Sequence, residues 1–157
     1  MATHTVYPTG DETLDRNAIA SAVSVASPGD VILLQAQDDG GQDKDFVFPK
    51  GGDGFTFAGY IPYGVQIQKP VSFQGEELPS GRRTTITGGM VPIEYGFFGP
   101  VDGDFQVKTI DFVDAGVVSI WIDEISEESD VVIEDCRFLS DMYSKFGSAP
   151  SDQNPPS

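Results

Sequence analysis

Short apolar runs separated by Gly, Pro and Asp dominate the chain from residue 30 onward, and a single helical stripe precedes them. Leu14, Ala18, Ala22 and Val23 recur at intervals near four, with Ile19 beside them, which predicts a short helix over residues 14–25. Thr13 or Asp15 stands where a cap is needed, and Pro28-Gly29 ends the run. Val31 to Leu34 is a run of four β-favouring residues bounded by turn signals, the pattern of a buried strand. An acidic loop over 37–45, a short strand at Phe46–Phe48 and a Gly-rich loop follow. Residues 55–64 then combine aromatics with turn residues.

From Val65 the pattern becomes repetitive. Val65–Gly75 reads as two alternating strands around Lys69-Pro70, and Thr84–Gly89 as another. Phe105–Phe112, Val117–Ile122 and Val131–Phe138 complete the set. Adding 26 to Val107, Ile110 and Phe112 gives Ile133, Cys136 and Phe138, and Ile86 precedes Phe112 by the same interval. Self-similarity at this spacing is the mark of a solenoid coil. Val-x-x-Ile-x-Phe reads as strand, bend, strand. The odd spacing across the bend keeps both apolar sets facing inward if one residue adopts the left-handed region, and Asp135 sits at that point. Ile67, Val71, Phe73, Ile86, Val107, Ile110, Phe112, Ile133, Cys136 and Phe138 are the predicted core ladders. Residues 1–12 read as a polar, turn-rich segment, 13–140 as the folded body, and 141–157 as a Pro/Ser-rich tail or linker.

Composition narrows the partners. Twenty-five Asp and Glu against nine Lys and Arg give a net charge of −16 over 157 residues. Nucleic acid and anionic membrane surfaces are poor partners for such a chain, because both require clustered cations. A polyanionic polysaccharide would need a bridging divalent cation. The acidity has two readings, a halophile's or merely soluble surface, and a surface that holds calcium. No apolar run is long enough to span a bilayer, and no signal peptide is visible at the start. Cys136 is the only cysteine and lies among apolar neighbours, so it reads as a core thiol. His4, the only histidine, reads as part of a terminal segment.

Ala18-Ile-Ala-Ser-Ala22, Ala26-Ser-Pro-Gly-Asp30 and Val31-Ile-Leu-Leu34 together resemble the opening of the pectin-lyase-like β-helix proteins. In that family a helix caps the solenoid before the first strand. Ile67–Glu76 and Thr85–Gly88 resemble the first complete coil of the same family. The resemblance implies an all-β, right-handed parallel β-helix with a short N-terminal capping helix. It also implies an extracellular setting and a polysaccharide as the class of ligand. It does not select an activity, since the superfamily holds lyases, hydrolases, esterases, epimerases and non-enzymes.

Ser119–Glu124 resembles a Trp-Ile-Asp-His stretch of pectate lyases, and Val132–Phe138 the coil after it. By that resemblance Asp123, Glu124 and Asp135 are candidate calcium ligands and Arg137 a candidate base. Glu124 replaces the family's histidine, and no Arg-x-Pro-x-x-Arg segment follows. Asp38-Asp39 imitates a polygalacturonase pair without that family's other partners. Asp43 to Asp45 and Asp102-Gly-Asp104 are charged turns without EF-hand spacing. Gly51–Gly54 lacks the Lys-Ser/Thr of a phosphate loop. Tyr60, Tyr63, Tyr95 and Trp121 are the candidate sugar-stacking aromatics, set against the alternative that such rings fold down as core cover.

The sequence therefore reads as a non-catalytic β-helix module, a carbohydrate-recognition unit or surface scaffold with no obligatory cofactor. The alternatives are the N-terminal part of a polysaccharide lyase or hydrolase, and a self-assembling module that forms a homo-oligomer through its C-terminal coil. That last expectation rests on apolar residues such as Phe138 and Leu139 with no evident cap after them.

Overall fold

The computed structural model describes residues 1–49 and 64–139. It is built of short strands in three parallel sheets, with one helix among the described residues. The chain starts with a strand, β1 (Thr3–Val6), which leads into helix α1 (Glu12–Val25). β2 (Val31–Leu34) and β3 (Phe46–Phe48) follow, then β4 (Val65–Ile67), β5 (Ser72–Gln74) and β6 (Thr84–Gly88). The next three are β7 (Ile93–Tyr95), β8 (Phe105–Lys108) and β9 (Ile110–Val113). The last three are β10 (Ile120–Ile122), β11 (Val131–Glu134) and β12 (Arg137–Leu139).

A five-stranded sheet runs β1-β2-β5-β8-β11, a four-stranded sheet β12-β9-β6-β3, and a three-stranded sheet β10-β7-β4. From β4 onward the chain visits the three-, five- and four-stranded sheets in that fixed order, three times over. Parallel pairing stacks equivalent positions about 4.8 Å apart. The expected 26-residue interval is the observed register: Val107 pairs with Ile133, Phe112 with Phe138, and Ile86 with Phe112. The ladders continue upward through Ile32–Phe73–Val107 and through Phe46–Ile86.

The bend between the five- and four-stranded sheets explains why these sequences can be so short. Thr109 (φ 60°) joins β8 to β9, and Asp135 (φ 54°) stands between β11 and β12. A left-handed residue there reverses side-chain parity, so Val107 and Ile110, or Ile133 and Cys136, face the same interior. The two earlier layers make this corner with longer loops over 35–45 and 75–83, which carry the antiparallel bridges Gln37–Asp43 and Glu77–Arg83. The acidic insertion read at 37–45 is therefore an expanded corner. Gly75 has a local reason to be glycine, because a Cβ there would run into the Thr109 carbonyl of the next layer.

The core lies between the sheets. Ile32, Leu34, Phe46, Phe48, Ile67, Val71, Phe73, Ile86, Val107, Ile110 and Phe112 are all buried, and Tyr95 stacks on Phe105 with ring centroids 3.9 Å apart. Helix α1 covers one end, with its contacts mainly to β3, β1 and β4. Asp11 caps the helix, accepting from the backbone N–H of Thr13 and Leu14, in place of the expected Thr13 or Asp15. Asp15 is instead fully buried, where it accepts from Thr9 N–H and Oγ1, Gly10 N–H and Val47 N–H at 2.7–3.0 Å. It ties the segment before the helix to β3. The last turn of α1 holds no basic residue, and Lys69 supplies the cation from outside, donating to the carbonyls of Ala26 (2.7 Å) and Ser24 (3.1 Å).

Three expectations need correction. Ile19 and Val23 are buried as predicted, but Leu14 is 58% exposed because it lies on the turn facing away from the strands. Residues 1–12 are more than a polar segment, since β1 pairs in parallel with β2 from Thr3↔Val31 to Val6↔Leu34. Ile133 and Phe138 hold the predicted ladder positions but are 44% and 55% exposed, because the described residues place no further layer on theirs.

That contrast gives a paired expectation. Phe112→Ala removes a fully buried ring and should cost ~3–5 kcal/mol in urea denaturation. Phe138→Ala, one layer away on the same ladder, should cost about 1 kcal/mol or less in the dilute single chain, where about half its surface is exposed. Equal losses would refute the assignment of the open layer.

Candidate functional site

The sequence-derived candidates do not come together in one place. Tyr60 and Tyr63 lie outside the described residues. Tyr95 is no surface platform: it is fully buried, its hydroxyl donates to the Val71 carbonyl at 2.6 Å, and burial pushes its phenol pKa up, so it stays a neutral donor. Its neighbour in register, Glu94, points to the opposite face and is also buried. Trp121 pairs with Glu94, and Glu94 with Gln66, so the three form one rung line on the outside of the three-stranded sheet. Ile120 and Ile122 on either side of Trp121 pack on the core, which turns the half-buried indole outward. Gln66 Nε2 donates to Glu94 Oε1 at 3.3 Å.

The proposed calcium ligands divide in the same way. Asp123 and Glu124 are exposed in the turn after β10. Asp135 sits on the far side of β11, at the left-handed bend, where its carboxylate meets Arg83 Nη1 at 3.3 Å and Thr109 Oγ1 at 3.2 Å. Among the described residues no group of three or more His, Cys, Asp or Glu side chains converges as a metal cage. Arg137, the candidate base, lies with Nε 3.5 Å from Asp111 Oδ1. Cys136 is half-buried against the core, and burial raises its thiol pKa, as fits a packing residue.

Two electrostatic clusters were not singled out from the sequence. The first centres on Arg83, whose side chain is 3% exposed. Nε donates to Asp111 Oδ1 at 2.8 Å, Nη1 to Glu77 Oε1 at 2.6 Å, and Nη2 to the Asp135 carbonyl at 2.6 Å. Burial opposes its charge, but the bonds to Asp111, Glu77 and Asp135 more than compensate and hold the guanidinium cationic. The signal for it was present: 83, 109 and 135 are spaced by 26, so Arg83 occupies the same bend column as Thr109 and Asp135. The second cluster joins β1 to the turn before β2. His4 Nε2 lies 2.9 Å from Asp30 Oδ2, Ser27 N–H donates to the same oxygen at 2.9 Å, and Ala2 N–H to Oδ1 at 2.9 Å.

The third feature is the end that the described residues leave uncovered. Ala115, Val117, Val118, Ser119, Ile120, Ile133, Phe138 and Leu139 line an apolar groove of about 410 Å³ across the last layer. β10, β11 and β12 are the outer members of all three sheets at this end, so each presents an unpaired edge among the described strands. No helix among the described residues is long and apolar enough to cross a membrane. Comparison with protein-family models, curated proteins and solved structures gives no match.

The His4–Asp30 cluster sets a pH dependence. The His4 hydrogen bond first, then those from Ser27 and Ala2, hold the Asp30 carboxyl well below the usual carboxylate range, with burial acting weakly the other way. A depressed folded pKa means that this contribution is fully present above the unfolded carboxylate value near pH 4 and is lost as acid takes the pH down through the folded value. The stability advantage of the natural chain over Asp30→Asn should therefore be level down to about pH 4 and shrink below it. Denaturation series at several pH values for both chains check this, and an advantage unchanged in strong acid would contradict it.

Proposed function

We propose that the chain is a non-catalytic scaffold module, a right-handed parallel β-helix closed at one end by α1 and built to receive another β-layer at the other. The observation that carries this reading is the change in exposure along a single ladder. Val107 and Phe112 are fully buried, and Ile133 and Phe138, one register step on, are half exposed with their apolar faces in an open groove. The recurring visit of the chain to three parallel sheets supports the coil geometry, as does the left-handed corner repeated at Thr109 and Asp135. An exposed apolar layer rimmed by three strand edges is a costly surface in water unless something covers it. Hydrogen exchange on the full chain tests the reading. Edge-strand amides of β11 and β12 that face away from β8 and β9 should exchange more slowly than free edge amides. Free exchange there would mean that nothing stacks on the layer.

A second reading is favoured by Trp121, whose half-buried indole lies on the outer face of the three-stranded sheet. The accessible part of that ring suits the flat face of a neutral sugar. The net charge of −16 disfavours a polyanionic one. Trp121 is the only tryptophan, so its fluorescence reports directly. Neutral oligosaccharides should shift its emission saturably. An emission spectrum unchanged at millimolar sugar would dismiss it.

A further inference from the structure

Three places stand out once the core is accounted for: the Arg83 cluster, the His4–Asp30 cluster and the open end. The first two are satisfied internally, their charged groups engaged by partners in adjoining layers. The open end is different, because its chemistry points outward.

Resting on the scaffold reading above, we propose that the layer that covers β10–β12 is the same layer of a second copy of this chain, related by a two-fold axis, so that assembly closes at a dimer. The first argument is closure. The opposite end is occupied by α1, whose Ile19 and Val23 fill the position a stacking layer would need. At that end the described residues leave only the edge of β1, with α1 over the core, so a head-to-tail copy would meet a partial acceptor and like ends make the fuller match. An isologous contact then covers both open layers.

The second argument is charge. Two-fold stacking reverses strand direction across the junction. With the axis through the five-stranded sheet, β11 meets its own copy and β12 of each chain meets β10 of the other. Antiparallel alignment brings the start of β12 against the end of β10. The start of β12 is Arg137, 56% exposed, and the end of β10 runs into Asp123 and Glu124, both exposed. The contact thus places a cation of each chain beside two carboxylates of the other, twice. This assigns Arg137, Asp123 and Glu124 to recognition between copies. The same axis brings Asp130, Glu134 and Asp135 of the two chains toward one another around β11. Lys108, 3.2 Å from Glu134, and Arg83 beside Asp135 offset part of that repulsion. Added salt should therefore tighten the dimer by screening the larger like-charge component.

Sedimentation velocity on the full chain at micromolar concentration tests this in low and in moderate NaCl, together with hydrogen exchange. The expected result is a monomer–dimer equilibrium with no larger species, shifted toward dimer by salt. Phe138→Asp should give a monomer with unchanged far-UV circular dichroism, because its side chain is already half exposed. Arg137→Glu should weaken association by about tenfold, and adding Asp123→Lys and Glu124→Lys to it should restore association. A monomer whose outward β11 and β12 amides are nonetheless protected would overturn the second-copy assignment and leave the scaffold reading standing, the cover then coming from elsewhere. A monomer with those amides free would overturn both. Species beyond the dimer would overturn two-fold closure, and charge reversal without effect would overturn the assigned axis.

Discussion

The structure depends on one corner. From β8 to β9 and from β11 to β12 the chain turns between the five- and four-stranded sheets within one or two residues, while keeping apolar side chains on the inside of both strands. Backbone sterics allow this only if a residue enters the left-handed region, at a cost of roughly 1–2 kcal/mol for a residue with a Cβ. Thr109 and Asp135 bear that cost. In return, strands of three or four residues that could not stand alone stack in register on the strands of the neighbouring layer. The earlier layers solve the same corner with loops, and the solution with a single strained residue appears only where a regular layer lies above it.

The distribution of polar groups follows from the same stacking. Interior positions are apolar almost throughout, so charge is confined to corners and outer faces. Where a charged group is buried, it is satisfied by groups from another layer or from a neighbouring turn. Asp15 reaches Val47, Asp30 reaches Ala2 and His4, and Arg83 reaches Asp111 and Asp135. Each of these bonds crosses from one level of the structure to another. They fix the vertical register, which apolar contacts between similar side chains leave poorly specified.

Much of this was legible in the sequence, and the remainder was hidden for identifiable reasons. The interval of 26 between Phe112 and Phe138 gave the register of the last layers directly, and Asp135 was recognisable as the bend residue. β1 was missed because Thr3–Val6 has one apolar residue and becomes a strand only through β2 beside it. β7 was missed because Ile93-Glu94-Tyr95 is too short, between Pro92 and Gly96, to show a period. Site prediction suffered from judging residues by type alone. Tyr95 looked like a ligand platform, yet alternation with Glu94 sends it into the core. Asp123, Glu124 and Asp135 looked like one acidic set, although β11 and the turn before it separate them. Arg83 could have been found by carrying the interval one step further back, from Asp135 through Thr109.

Arg83 also bears on how such a stack comes apart. A pile of similar layers with only nearest-neighbour contacts loses its end layers one at a time, and its unfolding broadens into fraying. A guanidinium buried in one layer that grips a carboxylate in the next and a carbonyl in the layer after that is a coupling beyond nearest neighbours. Peeling away β11 and β12 removes the three bonds from Arg83 to Asp135, and leaves the guanidinium with Asp111 and Glu77 alone. The last layer is therefore tied to the interior by electrostatics as well as by contact. The described strands should yield together rather than one layer at a time.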